Sequence, residues 1–174
     1  MPASISFRAA TVADAEALAR GVVDGVEGYR ALAPPEWSPP SLASEIEQLR
    51  ERLADDAVWC LLAEAGGEVV GQITVLPAAR AGRPVDEPGL AHLSNIFVRE
   101  DLWGSGLARS LEAAGRDAAR ERGFTAMRLF VAVGQARARR FYEREGWVRS
   151  GDEFYDPVPG LALLEYRLAL RDHR

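Results

Sequence analysis

The chain has 174 residues, 48% hydrophobic and 27% charged, a composition typical of a globular protein. The net charge of −5 argues against a nucleic-acid partner, and Cys60, the single cysteine, excludes an internal disulfide and a cysteine-rich zinc site. No apolar run approaches the roughly 20 residues of a membrane span, and the first residues lack the basic-then-apolar layout of a secretory signal. We therefore expect a cytoplasmic protein with no membrane partner, and a single domain over residues 1–174.

The charges are unevenly distributed along the chain. Residues 99–149 carry 11 Arg against 7 acidic residues, whereas residues 1–98 carry 7 Arg against 14 acidic residues. Two interpretations are open. The arginines can lie on solvated helix faces, or a basic half can bind a polyanionic cofactor while the acidic half binds a cationic substrate.

The first third of the chain predicts one strand and two helices. Residues 4–10 alternate as a strand, and Thr11 then caps a helix whose apolar residues recur at helical spacing up to about residue 28. Four prolines between residues 29 and 40 predict an ordered loop, since proline removes backbone donors and blocks a helix. Ser41 restarts a helix.

The middle of the chain predicts three strands. Residues 58–65 and 68–76 are strands joined by a two-residue glycine hairpin. Residues 78–89 are polar and rich in Gly and Pro, which predicts a mobile loop. Residues 90–98 form an apolar strand that leads directly into a turn with two glycines.

The last third predicts two helices and three strands. A helix with small residues on one face follows the glycine turn and stops at Gly123, and residues 126–133 are an apolar strand. Residues 135–145 are helical, Trp147 begins a further strand, residues 152–160 are a loop, and residues 161–168 are a last strand. This order predicts an α+β fold with a mixed, mostly antiparallel sheet.

Two stretches carry the functional signal. The first, residues 96–109, is a strand, a turn with two glycines and a helix, an arrangement that offers several backbone N–H groups and a helix N-terminus to an anion such as a pyrophosphate. Taken alone it fits a tight turn without a ligand equally well. The second stretch, residues 135–147, ends in Phe-Tyr-Glu-Arg-Glu-Gly-Trp.

Together these stretches resemble the GNAT superfamily of N-acetyltransferases. The family signature Gln/Arg-x-x-Gly-x-Gly/Ala maps onto residues 103–108, with Trp103 where Gln or Arg is usual. The later family segment, which begins with Asn, maps onto Gln135, Ala138, Tyr142, Glu143, Gly146 and Trp147. The resemblance implies a three-layer α/β/α fold and an acyltransferase enzyme that uses acetyl-CoA.

The resemblance also implies a set of cofactor-binding residues. Backbone amides from Trp103 to Arg109 would bind the pyrophosphate of coenzyme A, and its pantetheine arm would lie along the strand where that strand separates from its neighbour. The expected residues are Ile96, Phe97, Val98, Trp103, Gly104, Ser105, Gly106, Leu107, Ala108, Arg109 and Gln135.

Two residues are candidates for catalysis. Tyr142 would protonate the departing thiolate, since an ordinary tyrosine pKa of roughly 10 keeps the phenol protonated; the alternative is an aromatic residue of the core. His92 is the titrating group on the strand before the glycine turn and a candidate base. The alternatives are a structural histidine, or Ser94 or Asn95 holding a water molecule.

The acceptor pocket is less well defined by the sequence. In the family, the first helix and the loop after it usually form this pocket. Glu27, Tyr29, Glu36 and Trp37 lie there, and carboxylates with an aromatic ring suit an ammonium group. A packed loop with solvated acids explains the same residues.

The function indicated is direct transfer of an acetyl group from acetyl-CoA to a primary amine of a small-molecule acceptor, because no activated nucleophile is evident. One alternative is a non-catalytic acyl-CoA-binding or regulatory module on the same fold. Another is a Rossmann-type nucleotide-binding enzyme, although the third glycine of that motif is missing. No metal site is expected. A homodimer through sheet edges or the last strand is left open.

Overall fold

The computed structural model describes residues 4–171, and within them seven strands and four α-helices form. The strands are β1 (Ser6–Ala9), β2 (Trp59–Ala65), β3 (Glu68–Pro77), β4 (Leu90–Val98), β5 (Ala126–Ala132), β6 (Val148–Asp156) and β7 (Leu161–Ala169). The α-helices are α1 (Ala15–Glu27), α2 (Leu42–Leu53), α3 (Leu107–Glu121) and α4 (Ala136–Arg144). None of these helices is long and apolar enough to span a bilayer.

All seven strands form one sheet, in the order β1-β2-β3-β4-β5-β7-β6. Neighbouring strands are antiparallel except β4 and β5, which are parallel. The predicted mixed, mostly antiparallel sheet is therefore confirmed. The same pattern excludes a Rossmann fold, whose sheet is mostly parallel.

Helices cover both faces of the sheet and make three layers. On one face, Leu18 and Ala19 of α1 pack with Leu49 of α2 against β2. On the other, α3 and α4 cover the larger core, whose most buried members include Leu111, Met127, Leu129, Leu164 and Tyr166. Gly115 lets α3 approach closely, since a Cβ there would lie 2.6 Å from the side chain of Ile73.

The parallel strands β4 and β5 are paired only at one end. Their ladder runs from Leu90 opposite Ala126 to His92 opposite Arg128 and then stops, although both strands continue. A bulge at Ser94 bends β4 at this point, because Ser94 has no partner on β3. The rest of β4 therefore has one side without a partner strand, and we call this opening the β4–β5 gap.

One sequence-based expectation about the end of the chain is wrong. Strand β6 continues to Asp156 through a second bulge, so most of the predicted loop over residues 152–160 is strand. Strand β7 lies inside the sheet between β5 and β6, so its edges are not free for a second copy. The exposed edge there belongs to β6, and a homodimer stays a prediction.

Candidate functional site

The glycine turn and the first residues of α3, residues 103–109, form a concave run of backbone that we call the cradle. Gly104 has φ +81° and Gly106 has φ +89°, values that glycine adopts without strain. A Cβ at either position would meet no atom within 4 Å. The backbone is therefore open to a ligand on this side.

Four amides of the cradle are unused. Trp103 and Ser105 donate to carbonyls of the preceding turn, and the amide of Leu107 donates to Ser105 Oγ at 3.3 Å. The amides without a hydrogen-bond partner within residues 4–171 are those of Gly104, Gly106, Ala108 and Arg109. Four free N–H groups at a helix N-terminus fit a pyrophosphate well.

Trp103 stands where the family usually has Gln or Arg, and its side chain contacts β4 and α4. Its indole N–H donates to the carbonyl of Val98 at 2.8 Å, and the guanidinium of Arg137 stacks 3.9 Å from the centre of its ring. Because Arg137 lies in the first turn of α4, this stack joins the cradle to the next helix. Half of the Trp103 surface stays exposed, 50%.

The charged side chain of the cradle has a partner of its own. Arg109 is exposed, and its Nε lies 3.5 Å from a carboxylate oxygen of Glu145 at the end of α4. An exposed pair at this distance contributes little energy and can rearrange when an anion binds. Arg109 thus lies close to the free amides without being fixed by the fold.

Backbone groups of β4 face the gap beside the cradle. The amide of Arg99 donates to the carbonyl of Val70 on β3 at 2.9 Å, which sets the alternation of hydrogen bonds along β4. Phe97 and Arg99 therefore direct their backbone groups towards β3, and Ile96 and Val98 direct theirs towards the gap. An extended ligand can pair with this strand as a further strand would.

Side chains of β4 fix the strand from both faces. Ile96 and Val98 pack against the core under α3, whereas Phe97 packs under α1. A Cβ added at Gly21 or Gly25 would lie 3.7 Å from the Phe97 ring, in ordinary contact. Ile96 and Val98 thus border the gap with their backbone, whereas Phe97 holds the strand to β3 and α1.

Tyr142 is buried on α4, with 7% of its surface exposed. Its ring makes edge contacts with Phe141 and Trp147, with centroids 5.3 and 6.0 Å apart. Burial raises the pKa of Tyr142 well above its usual value, and Tyr29 and Glu112 act in the same direction. The phenol therefore stays protonated across the physiological range.

Gln135 is the N-cap residue of α4, although its side chain makes no capping hydrogen bond. Burial raises the pKa of Tyr29, and the Gln135 side chain acts in the opposite direction. Tyr29 also raises the pKa of Tyr142, after burial. Gln135 thus belongs to the same region as Tyr142.

His92 lies at the closed end of the gap. Its Nδ1 accepts a hydrogen bond from Nε of Arg128 at 3.2 Å, so its proton is on Nε2. Burial, followed by the charges of Arg128 and Arg52, lowers the pKa of His92 to about 3. This imidazole has no free lone pair for an amine proton. Its assignment as the base stays a prediction that the geometry does not favour.

Ser94 offers a different polar group near the start of the gap. Its Oγ is buried and has no hydrogen-bond partner within residues 4–171. Unpaired buried hydroxyls are uncommon and are usually satisfied by water. Asn95, the next residue, is aligned with Thr74 on β3.

The proline-rich loop after α1 packs over the adjoining end of the sheet. The indole N–H of Trp37 donates to the carbonyl of Pro159 at 2.5 Å, and Leu32 packs so tightly on Gly134 that a Cβ there would lie 2.8 Å from it. Glu27 pairs with Arg30 at 2.8 Å. Trp37 thus packs against the β6–β7 turn. It does not line an open aromatic site for an ammonium group, as the acceptor-pocket prediction would require.

A cavity of about 590 Å³ that the sequence did not indicate lies on the face that carries α1 and α2, over β5, β6 and β7. Its lining includes Arg83, Arg128, Phe130 and Phe154. The sequence feature that could have indicated the cavity is Arg128, a charged residue in the otherwise apolar segment 126–132. Within residues 4–171, no three His, Cys, Asp or Glu side chains are grouped as metal ligands would be.

Residues 26–147 match the sequence profile described as Acetyltransferase (GNAT) family. The matched range begins at the end of α1 and contains the cradle, the gap and α4. It covers more than half of the chain.

Individual relatives agree with this match. Mycothiol acetyltransferase of Cellulomonas flavigena is 32% identical over 109 residues, 60% of this chain but only 31% of that protein. Ribosomal-protein-alanine N-acetyltransferase of Brucella melitensis is 25% identical, with a TM-score of 0.72 over 95% of this chain and 99% of its own. YncA of Salmonella typhimurium, solved with its cofactor acetyl-CoA, is 20% identical, with a TM-score of 0.71 over 97% and 95%.

Proposed function

The chain belongs to the acetyltransferase (GNAT) family, and we propose that it transfers the acetyl group of acetyl-CoA directly to the primary amine of a small-molecule acceptor. As a member of this family it is an acyltransferase, and acetyl-CoA is the cofactor named for its Salmonella fold relative.

One observation carries the proposal: four free amides at the N-terminus of α3 lie beside a strand whose backbone groups face an open gap. The free amides suit the pyrophosphate of coenzyme A. The backbone groups of Ile96 and the N–H of Val98 suit the amide groups of its pantetheine arm, whereas the Val98 carbonyl already accepts from Trp103. Coenzyme A joins a pyrophosphate to an extended arm that carries amide groups, so it matches both the free amides and the open strand.

Tyr142 is the proposed general acid. When bound, acetyl-CoA supplies the acetyl group as a thioester. The acceptor nitrogen forms a bond to the acetyl carbon, the carbon–sulfur bond breaks, and the sulfur takes the proton of the Tyr142 hydroxyl. The raised pKa of Tyr142 keeps this proton in place until the sulfur becomes negative.

The amine must lose a proton before or during this step. Ser94 Oγ, buried and without a partner, is the group best suited to hold a water molecule that accepts that proton. His92 was the first candidate, but both of its ring nitrogens are engaged or protonated. Ser94 replaces it in this proposal as a residue that positions water.

No covalent acetyl-enzyme intermediate is part of the proposed reaction. Cys60 is the single cysteine, and it is buried in β2 on the far side of β3 from the gap. Burial raises the pKa of its thiol, and Thr74 donates to Sγ at 3.3 Å. A buried neutral thiol is a poor nucleophile, which supports direct transfer.

A non-catalytic acyl-CoA-binding module is the second candidate, and one observation favours it. The titrating side chain expected to be the base, His92, has its accepting nitrogen occupied by Arg128. Such a module binds acetyl-CoA but releases no free coenzyme A with any amine. A thiol-release assay over a library of small amines separates the two candidates.

The decisive experiment is calorimetric titration of the protein and two variants with acetyl-CoA, coenzyme A and NAD. Gly106→Trp places a large side chain where the cradle is open. Gly123→Trp is the matched control at the other end of α3, with φ +86° and equally open surroundings. Both changes cost about 1 kcal/mol of stability through the backbone.

We expect the wild type and Gly123→Trp to bind both coenzyme A species and not NAD, and Gly106→Trp to bind none of them. Equal binding by the two variants would show that the cradle does not hold the pyrophosphate. If the wild type binds neither acetyl-CoA nor coenzyme A, the acetyltransferase proposal is wrong.

A further inference from the structure

The cavity over β5, β6 and β7 contains a buried arginine without an acidic partner. Arg128 is only 4% exposed, and no carboxylate of residues 4–171 lies within 4.0 Å of its guanidinium. Its hydrogen bonds go to neutral groups, namely His92 Nδ1 and the carbonyls of Ala78, Gly82 and Arg83. A buried, unpaired charge is costly and calls for an explanation.

The hydrogen bonds of Arg128 leave part of its guanidinium free. Nε donates to His92, and Nη2 donates to the loop carbonyls of Ala78, Gly82 and Arg83. Nη1 donates to no residue among 4–171, and the side chain lines the cavity. Arg128 therefore both fixes the loop that was predicted to be mobile and directs unused donors at the cavity.

A second guanidinium lies over the same cavity. Arg83 stacks 3.7 Å from the centre of the Phe154 ring. It is also the one non-glycine residue of the described chain with positive φ, +52°, and the bond from Arg128 to its carbonyl holds it there. Strain maintained in this way often marks a functional site.

The remaining charges of the cavity set the class of its ligand. Arg167 is neutralised by Glu87 and Glu165, at 2.9 and 3.2 Å. Asp152 and Glu153 are exposed on the edge strand β6. Three acidic and three basic side chains line the cavity. A single negative charge at Arg128 and Arg83 therefore suits it better than a multiply charged phosphate.

The cavity adjoins β5, one of the two strands that border the gap. Arg128 is the last residue of β5 that pairs with β4, so the gap opens directly beyond it. Phe130, the next residue on the same face, also lines the cavity. A molecule with an anionic group at Arg128 and an apolar part at Phe130 thus lies against a strand that borders the gap, and about 590 Å³ accommodates a small organic molecule.

We propose that this cavity binds the carboxylate of the acceptor through Arg128 and Arg83, so that the acceptor is an amino-acid-like molecule with both an amine and a carboxylate. That the bound carboxylate belongs to the acceptor rests on the proposed acetyl transfer. The binding of the carboxylate can be measured without any turnover.

The test compares the binding of N-acetylphenylalanine with that of its carboxamide, which lacks the negative charge. Calorimetry is performed on the wild type, on Arg83→Asn and on Arg149→Gln. Asn tolerates the positive φ of position 83. Arg149 is the matched control, since it pairs with Tyr166 on the opposite face of the sheet.

We expect the acid to bind roughly tenfold or more tightly than the amide in the wild type and in Arg149→Gln. Arg83→Asn should lose most of this difference while its affinity for the amide is unchanged. Arg128→Lys, checked for folding by its melting temperature, should lose the difference as well. Equal binding of acid and amide by the wild type overturns the proposal.

Thiol release from acetyl-CoA with phenylalanine and phenethylamine separates this inference from the proposed function. Preference for phenylalanine supports both. Equal turnover of the two amines overturns the inference and leaves the acetyltransferase intact. Selective binding of the acid without turnover of either amine supports the carboxylate site and counts against the proposed function.

Discussion

Among single side chains, the Tyr142 hydroxyl carries the most specific chemical assignment. Tyr142→Phe keeps the ring and its edge contacts with Phe141 and Trp147, and removes only the proton donor. We expect kcat to fall about 100-fold or more, while the Kd for acetyl-CoA is unchanged. Steady-state kinetics and calorimetry measure the two quantities.

The control is Tyr155→Phe, which removes an exposed hydroxyl from the edge strand and should change neither quantity. Because burial raises the pKa of Tyr142, its ionisation should not reduce the kcat of the wild type at any pH below about 10. An unchanged kcat in Tyr142→Phe would assign this residue to packing alone.

The sequence predicts the position of the site residues better than it predicts the chemical role of each residue. Tyr142 and Gln135 were predicted from a motif, and both lie on α4, Gln135 at its N-cap and Tyr142 buried near its end. The arrangement around His92 depends on Arg128, which is 36 residues further along the chain. A contact across two strands that meet only at their ends has no local pattern in the sequence.

Among the elements, those with a strong period or a clear stop were predicted well. The bounds of β4 are those predicted, and α3 ends just before Gly123, as the glycine indicated. Strand β6 was cut short because Asp152 and Glu153 lie in a bulge on an exposed edge. Polar residues are tolerated there, so the segment resembles a loop.

Helix α3 also buries a carboxylate that its small-residue stripe did not indicate. Glu112 is 1% exposed and accepts hydrogen bonds from Arg116 and from the indole of Trp147, the latter at 2.8 Å. Arg116 in turn donates to the carbonyl of Glu145. This network joins α3 to the chain between α4 and β6.

Glu112→Ala should therefore lower the free energy of unfolding by about 3 kcal/mol, because it leaves a partly buried arginine and an indole N–H without their acceptor. Asp117→Ala is the control on the same helix, and its exposed pair with Arg120 should cost less than about 1 kcal/mol. Urea unfolding measures both values. Similar losses in the two variants would mean that the network contributes nothing beyond a surface pair.

Across the whole molecule, the sheet consists of two halves that only three residue pairs of β4 and β5 connect directly. The fold class was predictable because strand order and period fix it. The gap was expected only through the family resemblance, since it depends on where pairing stops, and pairing is not visible in either strand alone. A ligand in the gap would connect the two halves.

This arrangement predicts a residue-specific response to acetyl-CoA in amide hydrogen exchange. The N–H groups of Ile96 and Val98 face the gap, whereas that of Arg99 is already bonded to Val70 on β3. Acetyl-CoA should slow exchange at Ile96 or Val98 by tenfold or more, and at Arg99 by much less. NMR-detected exchange with and without the ligand measures each amide separately, and NAD serves as the control ligand. A uniform slowing along β4 would instead reflect global stabilisation by a ligand bound elsewhere, and would remove the gap as the site of the pantetheine arm.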